Sequence, residues 1–241
     1  MKINKIKNNY KTIYIFFIFL SLIIFFFSTS KADSKAFKID NVEISKPFEM
    51  KFDIAGFAVG IVEAKKILHK KRIKINNLLL AVPSNGLHSN GFSLIRRILE
   101  KKKISIKKNK FLKKELIKPT KIYVSEILKL IDKKLLNGCA NITGGGIADN
   151  IKRIIPNQLC ASIDLNKINT LKIFKWLKNY NISDKEMLKT FNCGVGFCLI
   201  INSKNLKKVK SFFPKKYKPY VIGKIVKSST KVKFNEKINW S

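Results

Sequence analysis

The alternation of apolar and polar positions first marks out residues 78–100. An apolar run at 78–82 enters a polar turn with two Asn-Gly pairs and a histidine, after which Phe92, Ile95, Ile98 and Leu99 recur at helical spacing. The pattern predicts strand, loop, helix. Such a loop brings unpaired backbone amides to a helix N-terminus, where they and the helix dipole favour an anion, most often a phosphate. Gly86 and Gly91 permit close approach, and His88, Ser89 and Asn90 add side-chain donors at the same place. The competing reading is an ordinary turn, since Asn-Gly is a common turn signal.

The same logic extends along the chain. Residues 52–63, interrupted by Gly56 and Gly60, read as the first strand of the globular part. Residues 101–118 are so rich in lysine that they are expected to form a solvated, mobile connection. Pro119 is expected to open a helix whose buried stripe is Ile127, Leu130 and Ile131. A short strand at 139–142 then leads into three consecutive glycines and a helix carrying Ile147, Ile151, Ile154 and Ile155 on one face, stopped by Pro156. This second glycine-rich, helix-opening loop strengthens the anion reading of the first.

Residues 159–165 alternate as a strand, and Leu171, Phe174 and Leu177 predict a further helix. Ser183 and Glu186 form a capping box for the next helix. A strand at 190–202 contains Gly194 and Gly196, Ser203 caps a helix with Leu206, Val209 and Phe212, and strands at 220–226 and 231–235 close the chain. About seven strands and five helices from residue 51 onward fit one α/β domain, with an α+β-like mixed sheet and helices.

The N-terminus has a different character. Residues 1–11 are basic, residues 12–30 carry no charge, and small residues follow up to Ala32. That is the layout of a signal peptide, and it is also long enough for a membrane helix. A third reading is an unselected product of AT-rich DNA. The expected organisation is therefore an apolar helical leader over residues 1–32, a linker over 33–50 and a globular domain over 51–241.

Composition changes the picture in one respect. The formal charge of +35 ordinarily points to nucleic acid or an anionic membrane. Here the positive charge is nearly all lysine spread over every segment, with Arg72, Arg96, Arg97 and Arg153 the only arginines. A nucleic-acid surface concentrates charge and uses arginine for bidentate and stacking contacts, so specific nucleic-acid binding is not expected. With 46% apolar residues the chain can bury a core. Cys139, Cys160, Cys193 and Cys198 show no CxxC pair, which argues against zinc and for reduced, buried thiols.

The ordered segments GLHSNGFSLIRRILE, PTKIYV, NITGGGIADNIKRIIP and EMLKTFNCGVGFCLII, preceded by KFDIAGFAVGIVE, resemble the C-terminal domain of phosphoribosylformylglycinamidine cyclo-ligase, also called aminoimidazole ribonucleotide synthetase. The resemblance covers residues 51–235. It implies a cytoplasmic purine-biosynthesis enzyme of two α/β domains, usually dimeric. Such an enzyme uses ATP and Mg²⁺ to activate the formyl amide oxygen of formylglycinamidine ribonucleotide, so that an amine closes the imidazole ring. In the family an N-terminal domain supplies most ATP and metal contacts and the dimer core. Residues 1–50 occupy its place here without a DGVGTK-like segment.

On this basis the expected partners are the ribonucleotide substrate and a missing N-terminal domain or homodimer partner, with a membrane involved only if the leader acts as a signal or anchor. Ser89, Asn90 and Gly91 are expected to donate to the ribose-phosphate, with His88 orienting the substrate. Thr143, Gly144, Gly145 and Gly146 are expected to line the same cleft. Thr190 and Asn192 are weaker candidates, better explained by packing against the first loop. No catalytic residue is assigned and no metal site is expected, since Asp149 and Asp164 stand as single carboxylates. The alternatives left open are a non-catalytic domain remnant and a membrane-anchored basic binding protein.

Overall fold

The computed structural model describes residues 16–18 and 58–240, and the chain divides into two compact units, Met1–Ile67 and Leu68–Ser241. In the first unit, β1 (Phe16–Ile18) pairs antiparallel with β2 (Ala58–Gly60), with Phe17 opposite Val59. Of the apolar helix expected over the leader, Phe16–Ile18 are thus strand, a conformation that aromatic and β-branched residues fill well. The remainder of that leader, the linker at 33–50 and the start of the strand expected at 52–57 lie outside the described residues. No described helix is long and apolar enough to cross a membrane.

The second unit is built on a six-stranded sheet. Its strands are β3 (Leu78–Pro83), β4 (Gly138–Asn141), β5 (Leu159–Asp164), β6 (Val195–Ile201), β7 (Tyr220–Lys227) and β8 (Val232–Asn235). Their order is β4-β6-β3-β7-β5-β8, antiparallel throughout except for the parallel pair β5 and β8. β3 is central, and its side chains alternate between two cores: Leu79 and Ala81 join one, Leu80 and Val82 the other. A strand buried on both faces has no polar side to show, which is why it reads as an unbroken apolar run. Each fully buried leucine contributes on the order of 1.5–3 kcal/mol.

The helices divide between those two faces. The larger core receives α1 (Phe92–Lys101), α2 (Lys110–Leu116), α4 (Gly146–Lys152), α5 (Lys172–Lys178) and α6 (Asp184–Thr190). The smaller receives α3 (Val124–Asp132) and α7 (Leu206–Ser211).

Three local expectations are corrected in whole or in part. The lysine-rich stretch 101–118 holds α2, capped by Asn109, whose side-chain oxygen accepts from the Leu112 amide; Leu112 is fully buried, and Phe111 and Leu116 pack against the same core. Pro119 does not open α3, which begins at Val124. The segment before it is tied back to β3, with the Tyr123 hydroxyl donating to the Pro83 carbonyl at 2.9 Å. The capping box at α6 is half formed: Ser183 Oγ accepts from the Glu186 amide, while the Glu186 carboxylate instead takes the Thr190 hydroxyl.

Candidate functional site

The loop after β3 is stapled from below by Asn192, which is 1% exposed. Its Nδ2 donates to the carbonyls of Gly86 (2.9 Å) and Leu87 (3.2 Å), and its Oδ1 accepts from Ser84 Oγ (3.0 Å) and the Gly194 amide (2.9 Å). The Ser84 amide donates to the Gly194 carbonyl at 2.8 Å. Asn192 therefore acts by packing and hydrogen bonding to the first loop. Its partners in the first loop lie more than a hundred residues away in sequence, so no local pattern announces them.

The loop is held from the side by the PTKIYV segment. Asn85 Nδ2 donates to the Pro119 carbonyl at 2.8 Å, and Ser89 and Thr120 share a hydroxyl hydrogen bond of 3.1 Å. His88, 6% exposed, lies 6.2 Å from the Tyr123 ring, with its Nε2 at 3.0 Å from Asn85 Oδ1. Gly196 makes room for both rings: a Cβ there would lie 1.9 Å from the Tyr123 oxygen and 2.9 Å from His88 Cε1.

Burial pushes the His88 pKa down from 6.5 to about 4, so the ring is neutral at physiological pH. Burial also raises the Tyr123 phenol. The unfolded chain protonates this imidazole near 6.5 and the folded chain only near 4. Between those values the unfolded state carries the extra proton, so stability falls as pH drops through this window, by roughly 2–3 kcal/mol from this residue. His88→Asn, which tolerates the left-handed backbone at φ 57, is expected to remove that component. Urea unfolding of both proteins across pH 4–7 checks it, and identical slopes would refute it.

The second loop is held by Asn150, also buried. Its Nδ2 donates to the carbonyls of Thr143, Gly144 and Gly146, and its Oδ1 accepts from Thr143 Oγ1 at 3.0 Å. The two loops meet where Asn90 faces Gly144: a Cβ on Gly144 would have Asn90 Oδ1 at 3.6 Å and otherwise open space. Ser89, Thr143 and Gly144 are exposed, Asn90 is half-buried, and no side chain caps α1. Solvent-facing groups of both loops thus lie side by side at Asn90 and Gly144, and the first-turn amides of α1 lack a side-chain acceptor.

Packing by itself requires glycine at Gly91 and Gly146. At Gly91 (φ +81) a Cβ would fall 2.0 Å from the Phe191 ring, and at Gly146 (φ +65) 1.8 Å from the Leu188 carbonyl oxygen. Both serve packing and left-handed backbone. Gly145 borders an open groove of about 480 Å³ with Ala148, Asp149, Lys185, Leu188 and Lys189, but no residue of the first loop lines it. Among the described residues no group of three or more His, Cys, Asp or Glu converges to hold a metal.

Four carboxylates near these elements are engaged with lysines, Glu115 with Lys118, Glu126 with Lys121, Asp164 with Lys167 and Asp184 with Lys178, and Asp149, which borders the groove beside Gly145, is a single carboxylate outside any converging group of three ligands among the described residues. The described residues therefore do not fit Mg²⁺-ATP by themselves. All four cysteines are free thiols, three of them buried. Desolvation pushes Cys139 up to about 11 and raises Cys193 and Cys198 as well, so these thiols are unreactive.

The second unit is thus an α/β domain with a mixed sheet, helices on both faces and two asparagine-stapled glycine loops that approach each other at Asn90 and Gly144. The chain belongs to the AIR synthase related protein family by its C-terminal domain, which matches residues 74–235. It is 40% identical over 183 residues to the phosphoribosylformylglycinamidine cyclo-ligase of Streptococcus pyogenes serotype M4 (strain MGAS10750), covering 74% of this chain and 53% of that protein. The cyclo-ligase of Streptococcus pneumoniae (strain Taiwan19F-14) is 41% identical over 181 residues, covering 73% and 53%. The chain thus spans about half the length of these relatives. Among solved structures, a thiamine-monophosphate kinase from Stenotrophomonas maltophilia K279a shares the fold, with a TM-score of 0.52 at 15% identity over 74% of this chain and 56% of that one.

Proposed function

We propose that this chain is the substrate-binding half of a phosphoribosylformylglycinamidine cyclo-ligase, serving the ATP-dependent closure of formylglycinamidine ribonucleotide to aminoimidazole ribonucleotide in purine biosynthesis. The observation that carries the reading is the meeting of the two loops at Asn90 and Gly144, in a chain whose relatives bear that enzyme's name. Ser89, Asn90, Thr143 and Gly144 face the ribonucleotide, its phosphate lies toward the α1 amides, and His88 contributes a neutral ring at the edge of the loop.

ATP and Mg²⁺, when bound, supply activation of the formyl amide oxygen. Their ligands come from a partner domain or homodimer partner, since among the described residues no three metal-ligating side chains converge. The need for ATP and a purine precursor places the work in the cytoplasm.

The experiment is turnover with and without that partner. The chain alone, given ATP, Mg²⁺ and formylglycinamidine ribonucleotide, is expected to form no aminoimidazole ribonucleotide. Addition of the N-terminal half of the Streptococcus pyogenes relative is expected to produce it. Full activity of the isolated chain, or none with the added half despite formation of a complex, contradicts the proposal.

A further inference from the structure

The hydrogen bonds around Asn85 settle a question about His88 that its burial alone does not. The Pro119 carbonyl can only accept, so the Asn85 atom 2.8 Å from it is the Nδ2 donor. A reversed amide would set two acceptor oxygens against each other at that distance. Asn85 Oδ1 consequently faces the imidazole, and because a carbonyl oxygen can only accept, the proton of the neutral ring resides on Nε2, 3.0 Å away.

Nδ1 is then a bare lone pair. Among the described residues it has no protein partner, and the single buried side-chain nitrogen or oxygen left without one is Asp164 Oδ1. Nδ1 therefore reaches solvent. A neutral acceptor does not attract a phosphate; it selects a group that donates.

We propose that Asn85 is a positioning residue that locks His88 as the Nε2–H tautomer, so that Nδ1 accepts a hydrogen bond from an N–H or O–H of the bound ligand. The ligand half of this inference rests on the loop at 84–91 being part of the ribonucleotide site. The tautomer half does not. On this assignment the two ends of the loop divide the labour: amides at the start of α1 meet the anion, and His88 reads a donor group elsewhere on the same molecule.

The chain contains two histidines, His69 and His88, so long-range ¹H–¹⁵N correlation of the full chain resolves the tautomer directly, with His69→Gln for assignment. At neutral pH the His88 Nε2 is expected at the protonated position and Nδ1 at the unprotonated one. Asn85→Ala is expected to lose this single-tautomer pattern and give an average. A protonated Nδ1 in the unsubstituted chain, or an unchanged pattern in Asn85→Ala, overturns the proposal regardless of ligand.

Formylglycinamidine ribonucleotide is expected to shift the Nδ1 resonance. Ribose 5-phosphate reproducing that shift identifies a hydroxyl donor, and its failure to do so identifies an N–H; both support the acceptor role. Inorganic phosphate giving the full shift overturns that role. The expected tautomers with no ribonucleotide binding at all would support the Asn85 lock while contradicting the function proposed above.

Discussion

Asn192→Ala is expected to destabilise the folded domain by about 3–5 kcal/mol, seen as a fall of roughly 10 °C or more in melting temperature. The side chain is buried and satisfies two carbonyls, one amide and one hydroxyl at once. Removing it strands all four in a site closed to water, and an unpaired buried polar group costs about 1–3 kcal/mol. The loss is expected to be local first. Amide exchange should speed up over residues 84–91 before the sheet strands β3 and β6 are affected. A melting temperature within two or three degrees of the parent, as for an ordinary surface change of about 0.5 kcal/mol, would show that the loop does not depend on this staple.

A second large effect separates the three consecutive glycines. Gly146→Ala is expected to cost about 3 kcal/mol or more, because a left-handed backbone is combined with a Cβ driven into the Leu188 carbonyl, which separates α4 from α6. Gly144→Ala is expected to lie within about 0.5 kcal/mol of the parent, since its nearest contact is an ordinary 3.6 Å to Asn90. Paired urea titrations of the two variants read the difference. Equal stabilities would mean that the close α4–α6 approach gives way easily.

The contrast also shows how far the sequence could be read. β3, its loop and α1 were legible because a doubly buried strand, two Asn-Gly pairs and a 3.6-residue repeat are local signals. Lysine density concealed α2, since the buried positions Phe111, Leu112 and Leu116 are few beside the solvated ones. Pro119 gave a helix-start signal that tertiary contacts overrode, with Tyr123 tied back to Pro83 and Asn85 to Pro119.

At the site, the residue types of both loops were visible but their division of labour was not. Gly91 and Gly146 look in sequence like Gly144, yet the first two are required by Phe191 and Leu188, which arrive from far along the chain. Asn192 draws its loop partners from more than a hundred residues away, which only the fold brings near, whereas Asn150 holds carbonyls four to seven residues before it and an Asn in a helix carries no pattern that singles out this bonding. The neutrality of His88 likewise comes from burial, which no neighbour in the sequence dictates.

A larger side chain at Gly144 would occupy the space beside Asn90 where the two loops approach, without a steric reason to unfold the domain. Calorimetric titration of formylglycinamidine ribonucleotide into the unsubstituted chain and into Gly144→Val, with thermal melts alongside, is the measurement. Saturable binding to the parent is expected, with at least a tenfold loss of affinity in the variant, about 1.4 kcal/mol or more, and melting temperatures that differ little. Equal affinity in two equally folded proteins would contradict ribonucleotide binding where the two loops approach.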